Sequence, residues 1–191
     1  MDAAGIHQVT DSRVLTAMSH PLRRRMLDVL KVHGPCTVSA VAGLTAQSVA
    51  NASHHFRVLH RSGLIEAAPQ LARDGRERWW KLASTGRRWS SVDFATDPAG
   101  AAVAEAAESL NLDHHVRIVR AWLSRSGESR GDWADSAFSI SNWLHLTPEE
   151  LAQLSGELSA VLDRWSNRPP PKEDDERRPV FVFAYGQPGE P

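Results

Sequence analysis

The 191-residue chain is 41% hydrophobic and 24% charged with a formal net charge of −1, an ordinary balance for a soluble globular protein of one or two domains. Its one cysteine, Cys36, excludes an intrachain disulfide framework and a thiolate metal cage. No apolar run approaches about 18 residues and the opening MDAAGIHQVTDSR lacks a basic region followed by an apolar one, so we expect no membrane span, no signal peptide and a cytoplasmic location.

The near-neutral total hides an asymmetry. Between Ser12 and Val92 lie thirteen of the 22 Lys/Arg and four of the 23 Asp/Glu, giving +9 there and −10 in the remainder. A basic first half beside an acidic second half implies that only the first half meets a polyanion.

Residues 1–11 read as a frayed lead-in. Asp11 or Ser12 can cap a first helix that runs to about Ser19. His20-Pro21 breaks it, with Pro21 suited to the first turn of a second helix. In PLRRRMLDVLKVHG the residues Leu22, Met26, Leu27, Val29 and Leu30 fall inward, while Arg23, Arg24, Arg25 and Lys31 fall outward. Gly34-Pro35 ends that helix. Thr37 or Ser39 caps a short third helix with Val38, Val41 and Leu44 inside, and Gly43 falls in the turn that follows.

The stretch Leu44–Glu66 organises the rest. Ala52, Phe56 and Leu59 recur at helical spacing on one face. Gln47, Ala50, Asn51, His54, Arg57 and Arg61 fall on the other, which offers amides, an imidazole and guanidiniums but no carboxylate. Such groups can bond base edges and phosphates. Gly63 sits where a helix C-terminus wants positive φ. The period then changes: LIEAA and RERWWKLA read as strands, with Trp79 and Leu82 candidates for the buried face. Asp74-Gly75 between them is a strong hairpin signal, and Arg73, Arg76 and Arg78 cluster near that tip. Three helices, a recognition helix and a two-stranded wing make a winged helix-turn-helix.

Residues 12–92 resemble the ArsR-type winged-helix transcriptional repressors. The likeness rests on LTAMSHPLRRRMLDVL, on SVANASHHFRVLHRSGLIE and on RDGRERWWKLA. The family's Ser-His-His-Leu core, later Leu and Gly-Leu-Val turn stand here as Ser53-His54-His55-Phe56, Leu59 and Gly63-Leu64-Ile65. The resemblance implies a homodimer whose two recognition helices enter successive major grooves of a palindromic operator. It places Gln47, Ser48, Asn51, Ser53, His54, Arg57 and Arg61 near bases or phosphates. His55, nearer the buried edge, either supports the helix or bonds a phosphate. Arg73, Arg76 and Arg78 would reach flanking backbone from the wing.

Many members of that family sense metals, and here the chain departs from the pattern. Ser39-Ala40-Val41-Ala42 lacks the Cys-x-Cys of the thiolate site. Asp113-His114-His115 supplies half of a second family site, but Ser126 and Ser129 stand where its other half belongs. No metal or other cofactor is expected.

FATDPAG, residues 94–100, reads as a linker. A long helix is expected from Ala101 to about Ser126, with Val103, Ala106, Ala107, Leu110, Val116, Val119, Trp122 and Leu123 on an apolar side that needs a partner. The same helix of a second subunit is one partner; the chain's own C-terminal unit is the competing one. Gly127–Gly131 reads as a loop. FSISNWLHL alternates as a strand, Thr147-Pro148-Glu149-Glu150 is a capping box opening a helix, RPPPKEDDERR is a mobile loop, and PVFVFAYG is a strand pairing with 138–146. Trp122, Trp133, Trp143 and Trp165 either line an apolar effector pocket or fill a core.

The expected architecture is therefore α+β. A winged helix-turn-helix over 12–92 precedes a dimerisation and possible effector domain over 101–186, built as a long helix and a strand-helix-strand unit. The expected function is sequence-specific transcriptional regulation, most simply repression, with double-stranded DNA, a second copy and a small-molecule effector as partners. Two other readings stay open: a winged helix used for protein–protein contact, and a metal-responsive repressor. A small metal enzyme using the nine histidines is disfavoured by their scatter, and no phosphate loop, nucleophile elbow or HExxH pattern marks an enzyme.

Overall fold

The computed structural model describes residues 6–74, 77–84, 86–89, 91–94, 96–169 and 176–190. The chain divides into two compact units, Met1–His114 and His115–Pro191.

In the first unit a strand β1 (Ile6–Gln8) leads into α1 (Ser12–Ser19) and α2 (Pro21–His33). The Asp11 carboxylate caps α1 by accepting from the Arg13 amide at 2.9 Å. His20 caps α2 through its ring nitrogen, which accepts from the Leu22 amide at 3.2 Å, and Pro21 occupies the first turn. Gly34, at φ 72°, closes α2 in a conformation that a side chain would strain. A short β2 (Cys36–Thr37) precedes α3 (Val38–Thr45), which Thr37 caps. Then come α4 (Val49–Arg61), β3 (Ile65–Ala67), β4 (Trp79–Leu82) and β5 (Gly86–Arg88). β2, β4 and β3 form an antiparallel sheet in that order, with Ile65 opposite Leu82 and Cys36 opposite Trp80.

The core lies where α2, α3 and α4 meet this sheet. Met26, Val41, Ala52, Phe56, Leu59 and Leu64 are buried in it, and the half-buried Trp80 and Leu82 pack on it. Burying a side chain such as Phe56 or Leu59 contributes about 1.5–3 kcal/mol each, so this cluster is the main force holding α4 in place. A second cluster joins Val9, Leu15 and Phe94 to Ala104 and Ala107 of α5 (Pro98–Leu123).

Several expectations are corrected here. Residues 6–8 are not frayed: β1 pairs in parallel with β5, Ile6 opposite Gly86. Gly43 is inside α3, and the turn to α4 is made instead by Ala46, at φ 55°. Trp80, not Trp79, packs on the core, because it shares its side of β4 with Leu82. The proposed linker is mostly structured: Phe94 is buried and α5 already begins at Pro98. Arg24 is not outward but only 7% exposed; its guanidinium donates to the Asn111 side-chain oxygen on α5. Three residues on along α5, His114 donates from Nε2 to the Asp28 carboxylate at 2.7 Å. Burial pushes the Asp28 carboxyl up, but the His114 hydrogen bond and the Lys31 charge outweigh it and leave it below the usual range. Two polar ties thus fasten the middle of α5 to α2.

The second unit holds the end of α5, a one-turn α6 (Gly127–Arg130) where a loop was expected, and α7 (Pro148–Ser166). The capping box forms as read: Thr147 Oγ1 accepts from the Glu150 amide at 3.2 Å and Glu150 accepts from the Thr147 amide at 2.7 Å. The two strands do not form. Residues 138–146 and 180–185 carry no regular secondary structure. Their alternation is real, but a strand exists only with a hydrogen-bonded neighbour, and neither segment has one among the described residues. Most of the charged Pro-rich loop, residues 170–175, lies outside the described residues. Among the described residues no helix is long and apolar enough to cross a membrane.

Candidate nucleic-acid interface

The candidate surface is built on α4. Ser48 is its N-cap, with Oγ accepting from the Asn51 amide at 3.2 Å, and no acidic side chain stands in its first turn. The free backbone N–H groups there present partial positive charge, as any helix start does. Ala52, His55, Phe56 and Leu59 are the buried face of α4. Ala50, His54, Arg57 and Arg61 are exposed on the opposite side. Arg57 stays near its helix, its Nε donating to the Ser53 carbonyl at 3.4 Å. His60 and Arg61 stand in the last turn, where cations suit the carbonyl end.

Gln47 precedes α4 in the turn and is half-buried, as are Asn51 and Ser53. Asn51 Nδ2 donates to Gln47 Oε1 at 2.8 Å, and Gln47 Nε2 donates to the Thr45 carbonyl at 3.4 Å. The two amides are therefore braced together at the start of the helix. A bidentate amide contact needs such fixed geometry.

His55 faces inward, 7% exposed, and its Nδ1 has no hydrogen-bond partner among the described atoms. Its ring lies 4.8 Å from that of His20 and 5.3 Å from that of His54. Burial, and then the charges of His20, Arg23 and His54, hold its pKa below the ordinary 6.5. Burial and Arg23 do the same for His20. A neutral His55 thus links α4 to the junction of α1 and α2.

Behind α4 the wing is braced from both sides. The His60 ring packs edge-on against Trp80 at 5.0 Å and its Nδ1 lies 3.2 Å from the Ile65 carbonyl. Glu66 and Lys81 pair across the strands at 2.9 Å. Near its tip, Glu77 accepts from the Trp79 indole at 3.0 Å and from the Arg73 amide at 3.1 Å. Arg73 and Arg78 are exposed; Gly75 and Arg76 lie outside the described residues.

The periodicity of the sequence missed two features. Leu44, expected inside, is 48% exposed, and with the exposed Val49 it places apolar groups beside the helix start. Ser48 with Asn51 three residues on is the capping signal that could have fixed that start at Val49. Trp122 lies under Arg125 and Arg130, at 5.6 and 5.8 Å, and Trp165 under Arg168 at 4.9 Å. Trp133 is half-buried and Trp143 exposed. No group of three or more metal-ligating side chains occurs among the described residues.

Residues 18–67 match the family model described as a helix-turn-helix domain. No curated protein matches the chain. Among solved structures, similarity extends to a possible transcriptional regulatory protein fragment from Mycobacterium bovis, 23% identical over 56% of this chain and 90% of that one, TM-score 0.36. It extends also to NolR from Sinorhizobium fredii, 26% identical over 38% of this chain and 68% of that one, TM-score 0.33. A solution structure of the homodimeric winged helix-turn-helix DNA-binding domain of a possible ArsR-family regulator from Mycobacterium bovis is 21% identical over 61% and 86%, TM-score 0.37. The family match spans the end of α1 through β3, and the β3–β4 hairpin supplies the wing. With Ser53-His54-His55 on α4 and Gly63-Leu64 at its exit, the first unit has a winged helix-turn-helix fold.

Proposed function

We propose that this protein is a sequence-specific DNA-binding transcriptional regulator, acting as a repressor on a palindromic operator as a homodimer. The observation that carries the reading is the exposed row Ala50, His54, Arg57 and Arg61 on a Ser48-capped helix without a carboxylate, in the half of the chain with charge +9. Gln47 and Asn51, braced together, would read base edges with His54. Ser48, Ser53, Arg57 and Arg61 would bond phosphates, joined by Arg73, Arg76 and Arg78 from the wing. His55 supports the helix from beneath. Residues 12–92 would form the DNA-binding domain and 101–186 the part that pairs two copies, setting the recognition helices about 34–36 Å apart. A small-molecule effector would act by preferring one such spacing.

The test is selection of DNA from a random pool with the purified full-length protein, followed by affinity measurement on the selected site. Wild-type protein should recover a two-fold symmetric sequence, and His54→Ala and Arg57→Ala should weaken binding at least tenfold with the dimer intact. Unchanged affinity in both variants would sink the assignment of α4 as the reading element.

A further inference from the structure

We propose that residues 138–146 form an antiparallel strand pair with the same segment of a second copy, about a two-fold axis through Asn142. The inference rests on the homodimer proposed above and names a contact within it.

The segment FSISNWLHL has no regular secondary structure, and none of its backbone groups bonds the backbone of another described residue. The apolar side chains of one face are exposed: Phe138 is 70% exposed, Ile140 77%, Leu144 59% and Leu146 43%, while Trp143 on the other face lies near Gly189. It contains no Asp, Glu, Lys, Arg or Pro, the residues that normally blunt an open strand edge. Such an edge demands a constant partner.

The order of its residues points to which partner. In extended backbone, Phe138, Ile140, Asn142, Leu144 and Leu146 share one face. That row is symmetric: two apolar residues, an amide, two apolar residues. Two copies run antiparallel with Asn142 opposite Asn142 place Phe138 against Leu146 and Ile140 against Leu144, each twice. Every apolar side chain then meets an apolar one, and the amides bond each other. A shift by one pair sets Asn142 against an apolar residue and leaves the apolar ends overhanging, so the amide fixes the register. Antiparallel pairing of identical strands is the self-complementary contact of a closed two-fold dimer, whereas parallel pairing would propagate without closure.

The competing neighbour within the chain, residues 180–185, has one of its sides engaged. Phe181 and Phe183 each lie 5.2 Å from the His115 ring, and Tyr185 lies 6.1 Å from it.

Disulfide trapping in the full-length protein tests this. With Cys36→Ala removing the native thiol, Asn142→Cys puts two sulfurs on residues about 4.5–5.5 Å apart at Cα, inside the range a disulfide spans. Ile140→Cys puts them about 14 Å apart along the pair, beyond it. Under a mild oxidant Asn142→Cys should convert mostly to covalent dimer, at least tenfold faster than Ile140→Cys alone. Ile140→Cys co-refolded with Leu144→Cys should again cross-link, a check that leaves Asn142 in place. If wild-type protein is dimeric by light scattering but Asn142→Cys traps no faster than Ile140→Cys, this contact is wrong and the homodimer survives. A monomeric wild type overturns both. Intrachain closure between Asn142→Cys and Phe183→Cys would assign the segment to a strand within its own subunit and also overturn the inference.

Discussion

The two units handle apolar side chains in opposite ways. In the first, Met26, Phe56, Leu59 and Leu64 are enclosed between three helices and a sheet. In the second, helix α7 forms with a complete capping box, yet Leu158, Val161, Leu162 and Trp165 remain exposed, as do Phe138 and Ile140 before it. All the buried hydrophobic residues among those described lie before His115. Local signals such as caps and propensity suffice to form a helix, but not to enclose a core; that takes a second layer. The winged unit has one within its own sequence. Among its described residues the C-terminal unit has none.

The sharpest way to break this contrast is to delete one aromatic ring from each unit. Phe56→Ala should cost about 3–5 kcal/mol in denaturant unfolding of the first unit. Trp165→Ala, losing an exposed ring stacked under Arg168, should cost about 1 kcal/mol or less. Equal losses would mean that the second unit has a core of its own.

A smaller effect separates the units by pH. The folded-state pKa values of His20 and His55 are lowered, so the unfolded chain binds their protons first. Their contribution is complete above the unfolded value of 6.5 and is lost as pH falls from there through the lowered folded values. Thermal unfolding of the first unit should therefore weaken below about pH 6.5, and His55→Gln should flatten the profile. A profile unaltered by His55→Gln would show that the buried imidazole is not its source.

Smaller still, Ser48→Ala and Thr147→Ala each remove one helix cap and should each cost about 0.5–2 kcal/mol. The first should also loosen the start of α4 and lower DNA affinity; the second should reduce helicity without touching DNA binding. Loss of DNA binding in Thr147→Ala would tie the second unit to the reading surface directly.

What was legible in the sequence follows the same division. Ala52, Phe56 and Leu59 marked the buried face of α4 because helical spacing is local, and Gly63 marked its exit, confirmed at φ 64°. Arg24 was misread as solvated because its partner, Asn111, lies 87 residues away and nothing local announces it. The N-terminal strand is illegible for the same reason, since β5, its neighbour among the described residues, lies far along the chain. In FSISNWLHL the alternation is legible, but pairing is a property of two segments, and alternation in one of them names no partner.

The central claim is that α4 and the wing meet DNA. Its most direct test is the salt dependence of affinity for the selected operator, comparing wild type with Arg57→Ala. Phosphate contacts predict that log affinity falls linearly with log salt at a slope of several units, and that losing one guanidinium reduces the slope by about 1. A slope near zero, or one unchanged in Arg57→Ala, would contradict DNA recognition through this helix.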